Sequence, residues 1–213
     1  SPRLYAAADG RIHAFWLDKQ ADLFYSRIQT NTLAADSAWS APINVASAVA
    51  GYAAATDARG HLFLSYVSNA DLAEPAGVYF RRLAADDTVW TAAQPVYQSA
   101  YFRGITPAVT NVQLAVPDVT LPPPPPAPTP APPVSGTNPV VTPPAPTFTG
   151  TALLIAGDNR PVEQIIAAHS LNGGNNWTDV FTVDARQASD SEFSAGPAHV
   201  TMATKGETIH LSW

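Results

Sequence analysis

Apolar and polar positions alternate over Ile12-His13-Ala14-Phe15-Trp16-Leu17, an aromatic-rich run that predicts a half-buried β-strand. Leu23-Phe24-Tyr25-Ser26-Arg27-Ile28 predicts a second strand, and Ile43-Asn44-Val45 a short third one. The order then returns. The strand His61-Leu62-Phe63-Leu64-Ser65-Tyr66 lies 49 residues after the Ile12 strand, and Gly77-Val78-Tyr79-Phe80-Arg81-Arg82-Leu83 answers the Leu23 strand. The phrase Leu33-Ala34-Ala35-Asp36-Ser37-Ala38-Trp39 comes back as Leu83-Ala84-Ala85-Asp86-Asp87-Thr88-Val89-Trp90, with Trp39 and Trp90 separated by 51 positions. Behind each tryptophan come a small polar residue, a proline and a short apolar strand, Pro42-Ile43-Asn44-Val45 in one case and Pro95-Val96-Tyr97 in the other.

A third copy opens at Ile105 and runs to Val116, where the pattern stops at a proline-rich stretch. Residues 122–126 are all proline, and eight more prolines follow by Pro146, spaced by Ala, Thr, Val, Gly and Ser. Proline removes amide donors and drives the residue before it out of the α region, so this stretch belongs in neither helix nor sheet. It reads as an extended polyproline II tether, or as a ligand for a proline-reading domain; no Arg or Lys flanks the run to favour the second. The third copy is expected to resume with Glu163-Gln164-Ile165-Ile166-Ala167-Ala168-His169, then Trp177 and Val180-Phe181-Thr182-Val183. A fourth copy starts at Ala198-His199-Val200-Thr201-Met202-Ala203 and ends with Thr208-Ile209-His210-Leu211-Ser212-Trp213.

A repeat of about 50 residues holding about four short strands predicts an all-β fold, a β-propeller of four-stranded blades interrupted by the proline-rich segment. One blade cannot bury both of its faces, so neighbours must stack to make a continuous core. A β-sandwich built from the same strands is the alternative. The expected organisation is residues 1–118 as about two and a half repeats, 119–148 as an extended linker or insertion, and 149–213 as further propeller strands. About three and a half blades do not close a ring, so another chain or a missing segment is expected to complete it.

Ser170-Leu171-Asn172-Gly173-Gly174-Asn175-Asn176-Trp177 forms a polar, glycine-containing turn ending on an aromatic residue. It resembles the Asp-box, or BNR repeat, of sialidase-like propellers, through Ser170, Gly174 and Trp177; Asn172 stands where Asp is usual and Asn176 where Thr is usual. Asn can bond nearby backbone amides as Asp does, and glycine supplies a positive φ. The phrases ending at Trp39 and Trp90 are similar but lack the glycine, with Asp36 and Asp86 in the turn. The resemblance implies a sialidase-like propeller, six-bladed when complete. It also implies that these boxes are structural, set on the blade edge away from the central cavity.

Composition narrows the functional classes. Charged residues make up only 13% of the 213 positions and the net charge is -6, with no basic tract to serve a nucleic-acid or anionic-membrane surface. The chain has no cysteine, which excludes disulfides, thiolate chemistry and Cys-ligated metals. No apolar run approaches the length of a membrane helix. Ser1-Pro2 is read as following a processing point, which leaves room for a removed export signal. Few charges and a proline-rich spacer fit an extracytoplasmic, secreted or cell-surface protein.

Sialidase chemistry, which the resemblance brings to mind, needs three arginines for a carboxylate, a Tyr-Glu nucleophilic pair and an Asp acid/base. The arginine phrase of that family is absent; Tyr101-Phe102-Arg103-Gly104-Ile105 and Asn159-Arg160-Pro161 are the nearest strings. Glu74, Glu163, Glu192 and Glu207 fall in turns, loops or strand starts, and none is expected to pair with a tyrosine. His13, His61 and His210 read as equivalent positions of repeated strands. The acids from Asp184 through Asp190 to Glu192 offer oxygens to calcium but lack the spacing and glycine of a dedicated loop. No catalytic, cofactor or metal residues are therefore assigned. The expected role is a noncatalytic binding or assembly module for a protein or glycan partner, with a sialidase-type glycoside hydrolase as the alternative.

Replacing residues 119–146 by a short Gly/Ser loop should leave the denaturation midpoint almost unchanged, since each halving of loop length alters closure by only about 0.6 kcal/mol. Loss of cooperative unfolding in the shortened chain would mean that the segment belongs to the core.

Overall fold

The computed structural model describes residues 2–32, 39–69, 74–104, 111–118, 151–159, 164–185 and 199–213. Expectations placed on Asp36, on residues 105–110, on the proline-rich stretch and on the acids at 190 and 192 lie outside the described residues. Among the described residues there is no α-helix, and none is long and apolar enough to cross a membrane.

The strands form consecutive antiparallel meanders. β1 (Arg3–Ala6), β2 (Arg11–Leu17), β3 (Leu23–Gln29) and β4 (Ile43–Ala46) make the first sheet in that order. β5 (Val49–Thr56), β6 (Leu62–Ser68), β7 (Gly77–Leu83) and β8 (Gln94–Gln98) make the second. The third holds β9 (Val112–Ala115), β10 (Leu153–Asn159), β11 (Gln164–Ser170) and β12 (Phe181–Ala185), and a final hairpin pairs β13 (Thr201–Lys205) with β14 (Thr208–Ser212). The third sheet thus draws its first strand from before the proline-rich stretch and the other three from after it.

Local chemistry sets the tight turns. Gly10 and Gly60 take φ of +80° and +81° between the first two strands of their sheets, a region side chains avoid. Beside them Asp9 Oδ1 accepts from the Arg11 amide at 3.0 Å, and Asp57 Oδ1 from the His61 amide at 2.9 Å. In the third sheet the equivalent connection is the one that contains the proline-rich stretch. All three four-stranded sheets also break register at corresponding points between their third and fourth strands: Leu23/Phe24, Val78/Tyr79 and Ile165/Ile166. A bulge there sharpens the twist of each sheet in the same way.

Three expectations need correction. The third repeat resumes at β10, ahead of Glu163, and the run expected to resume it is the sheet's third strand. β1, β5 and β10 show no alternation for different reasons: β1 is four residues long, β5 is rich in small residues with little strand preference, and β10 runs Leu153, Leu154 and Ile155 together before Gly157, Asp158 and Asn159. The histidines are not equivalent: His61 follows its turn glycine directly, His13 stands three residues after Gly10, and His210 four after Gly206.

The sheets pack face to face in chain order, the second and third each lying between two neighbours. Phe15, Leu23 and Tyr25 of the first sheet meet Tyr52, Leu62, Leu64 and Tyr66 of the second. The opposite face of the second sheet, with Phe63, Val67, Val78 and Phe80, meets Val112, Leu114, Leu153 and Ile155 of the third. Ala156, Ile165 and Ala167 then pack against Val200, Met202 and Leu211 of the hairpin region. The first strands also approach one another in series, β1 against β5, β5 against β9 and β9 against β13.

Trp90 is 9% exposed and packs edge-on against Tyr25 and Phe15, with centroids 5.2 and 5.9 Å away. Its repeat partner Trp39 is 40% exposed, so the two tryptophans share a sequence position without sharing burial. Trp90→Ala should cost about 3–5 kcal/mol, the range for an emptied aromatic core site. Trp39→Ala should cost no more than about 1 kcal/mol, as for a surface change. Urea titration of the two variants distinguishes them; equal losses would contradict this packing.

Candidate functional site

Of the residues singled out in the sequence, Asp86, Trp90, Gly174 and Trp177 lie at contacts between sheets, whereas Trp39 is exposed. After each repeat tryptophan a hydroxyl residue ties back to the third strand. Ser40 Oγ accepts from the Arg27 amide at 3.1 Å, Thr91 Oγ1 from the Arg82 amide at 3.0 Å, and Thr178 Oγ1 from the His169 amide at 3.1 Å. The return bonds run from the Ser40, Thr91 and Thr178 amides to the carbonyls of Arg27, Arg82 and His169. These bonds fix where each indole points. Trp90 points into Tyr25 of the preceding sheet, and Trp177 meets Phe80 with centroids 5.1 Å apart at 67°.

Two arginines complete these junctions. Arg27 Nη1 donates to the Asp87 carbonyl at 2.8 Å. Arg82 Nη1 donates to the Gly173 carbonyl at 2.6 Å, and its Nη2 to Asn175 Oδ1 at 2.7 Å. Each guanidinium therefore holds the turn of the following sheet, two positions along the strand from the aromatic residue that receives that sheet's tryptophan. Burial pushes the Arg82 pKa down from its ordinary value. The clamp occupies the triplets Tyr25-Ser26-Arg27 and Phe80-Arg81-Arg82, where alternation by itself marks an arginine only as one face of a strand. Arg11 adds a bond to the Ala85 carbonyl and an ion pair with the exposed Asp86 at 3.3 Å. The turn amides before Trp90 are served by Asp87, whose Oδ1 accepts from Thr88 and Val89; the sequence reading had put Asp86 there.

The turn at 170–177 brings its five predicted residues together. Ser170 Oγ donates to Asn172 Oδ1 at 3.0 Å and accepts from the Gly174 amide at 2.9 Å. Asn172 Oδ1 accepts in turn from the Asn176 amide at 3.0 Å. Gly174 sits at φ +83° against the Phe80 ring, where a Cβ would collide with the ring carbons. Glycine is thus required twice over, by backbone angle and by the closeness of the neighbouring sheet.

A small polar cleft lies where the first strands converge. Arg3, Leu17, Tyr52, Asn111, Val112 and Gln113 line a space of about 140 Å³. Arg3 Nη1 donates to the Tyr52 carbonyl at 2.8 Å, and its guanidinium carbon sits 4.9 Å from the Tyr52 ring centroid, a cation–π arrangement. Gln113 Nε2 donates to Asn111 Oδ1 at 2.9 Å, and Asn111 Nδ2 to the Val200 carbonyl at 2.6 Å. The cleft is smaller than ordinary cofactor pockets, so it suits a side chain or a hydroxyl-bearing fragment.

The expectation that no glutamate pairs with a tyrosine is overturned. Tyr66 Oη lies 2.9 and 2.8 Å from the two Glu74 oxygens, and Arg81 Nη2 is 3.3 Å from the same carboxylate. Tyr66 is fully buried between the first two sheets. Burial and the Glu74 carboxylate push its phenol far up from the ordinary tyrosine value, so it stays a neutral donor. The pair anchors the β6–β7 connection from inside. Asp184, once a candidate calcium ligand, accepts from Trp213 Nε1 at 2.6 Å. Among the described residues, no group of three or more His, Asp or Glu side chains is placed to hold a metal ion.

No known protein family matches this chain, and no curated protein matches it.

His13 links the core to pH. Its Nδ1 lies 2.9 Å from Tyr25 Oη, and burial lowers its pKa from 6.5 to about 4; Asp9 opposes that shift, while Arg27 and Arg11 reinforce it. The unfolded chain takes up this proton first, so the contribution of His13 is complete above pH 6.5 and is lost as pH falls towards 4. Urea midpoints of the native protein should therefore drop across that window, and His13→Leu should flatten the slope there. An unchanged slope in the variant would remove His13 from the acid response.

Proposed function

We propose that this chain forms part of a sialidase-like β-propeller acting as a noncatalytic, extracytoplasmic binding or assembly module for a protein or glycan partner. One observation carries the reading: sheets stack face to face in chain order while their first strands converge on a shared polar cleft. Propeller blades have this relation, with first strands lining the central channel. A ring assembled this way offers Arg3, Asn111 and Gln113 as donors and acceptors on rigid strands, a surface suited to the hydroxyls and amides of a glycan or peptide. The turn around Ser170 supports the same family, because its serine and asparagine serve the backbone and its tryptophan serves packing. The net charge of -6 and the absence of a basic tract disfavour nucleic acid as the partner.

The hydrolase alternative has one observation in its favour, the Tyr66–Glu74 pair beside Arg81. A nucleophile must reach its substrate and lose its proton. Tyr66 is buried and its phenol is held neutral, which suits an anchor better than a nucleophile.

The intact protein should give no turnover of a fluorogenic sialoside. Ligands recovered by glycan array or by cross-linking should bind about tenfold more weakly to Arg3→Ala, with the melting midpoint held within about 4 °C. Turnover lost on Tyr66→Phe would overturn this reading and establish the hydrolase; binding indifferent to Arg3→Ala would move the partner site away from the cleft.

A further inference from the structure

The face of the first sheet turned away from the second is largely apolar, and no other described sheet packs on it, although Ala14, Ser26 and Ile28 on this face are buried. Leu4, Ala14, Trp16, Trp39 and Pro42 line an open trough there of about 720 Å³, and Trp16 stacks on Phe24 beside it. Leu4 is 63% exposed and Trp39 40%.

The corresponding face of the second sheet is covered. Trp16 and Phe24 are register partners stacked at 5.9 Å, and Tyr66 and Tyr79 are register partners stacked at 5.7 Å. Trp16 and Tyr66 each stand six residues beyond their turn glycine. Tyr66 and Tyr79 are buried by the first sheet, and Trp90 beside them enters the ring of Tyr25 while Arg27 holds the turn. The junction of the second and third sheets repeats this with Phe80, Trp177 and Arg82. Trp39 is presented by the same bonds through Ser40, yet no ring of a described residue packs on it.

We propose that this face docks a further four-stranded antiparallel sheet that carries an aromatic-x-Arg triplet on its third strand, the aromatic ring receiving Trp39. The occupant is an additional repeat unit. The chain's own triplets, Tyr25-Ser26-Arg27 and Phe80-Arg81-Arg82, are already engaged. The third sheet has Ala167-Ala168-His169 at the matching place, with alanine where the receiving ring would stand and no guanidinium. At the other end of the stack Thr201, Ala203, Lys205, Thr208, His210 and Ser212 share one face of the terminal hairpin by register, a polar surface that does not match an apolar trough. This inference rests on the stacked sheets of the proposed module and requires neither ring closure nor the ligand at the cleft.

A tandem protein tests it: residues 2–48, which carry one triplet, placed directly ahead of residues 2–213. At the new joint Ser47, Ala48 and Pro2 separate β4 from the following β1, against Ser47 and Ala48 between β4 and β5. With 5-fluorotryptophan incorporated and the Trp39 signal assigned by Trp39→Phe, access of acrylamide to Trp39 of the full-length unit should fall several-fold. Tyr25→Ala with Arg27→Ala in the duplicated unit alone should restore access. A Trp39 signal as accessible in the tandem as in the parent would overturn the proposal, as would a duplicated unit that stays protease-sensitive on a folded chain. Concentration-dependent self-association of the parent that buries Trp39 would overturn it in favour of a second copy. Sialoside turnover or altered ligand binding, measured on the same samples, reports on the cleft separately.

Discussion

Each tryptophan that enters an aromatic ring of the preceding sheet joins two units that would be unstable apart. A four-stranded meander with two apolar faces leaves both in water when it stands alone, so its burial depends on the sheets beside it. Tyr25 with Trp90, and Phe80 with Trp177, convert that deficit into edge-on aromatic contact. Arg27 and Arg82 add charge-assisted bonds to turn carbonyls, which fix the height at which one sheet meets the next. The stack is held by this small set of contacts, repeated.

The junction also explains the composition of the first strands. Ala50, Gly51, Ala53 and Ala54 of β5 are small because β1 and β9 approach that strand closely. Bulk at this edge would splay the sheets and open the cleft between them. Polar groups that remain here are bonded: Arg3 to Tyr52, Gln113 to Asn111, and Asn111 to Val200. Rigid strands therefore present a few donors and acceptors at fixed separations, which is what a recognition surface needs.

Buried polarity elsewhere serves the stack. Tyr66 and Glu74 resemble a catalytic pair when judged by distance, but burial decides their role, because a phenol held neutral between two sheets ties a connection in place. Tyr25, whose pKa burial raises to about 12, and the neutral His13 beside it follow the same logic under the first junction. The sparse charge of the chain is consistent with this economy: Arg27 and Arg82 are spent on neighbouring sheets.

Much of the fold could be read before any coordinates. Alternation located β2, β3, β6 and β7, and the return of Trp39 as Trp90 located the repeat, because strand period and core aromatics are local properties of the chain. The turn from Ser170 to Trp177 was equally legible, since its bonds span only a few residues. The tertiary structure decided the rest, for reasons that are not local. β1, β5 and β10 have little amphipathic contrast and become strands only beside partners. Arg82 becomes a clamp only when Gly173 arrives from 91 residues away. Trp39 and Trp90 occupy one sequence position and differ in burial because burial depends on which sheet lies opposite, a property of the stack that no single repeat contains.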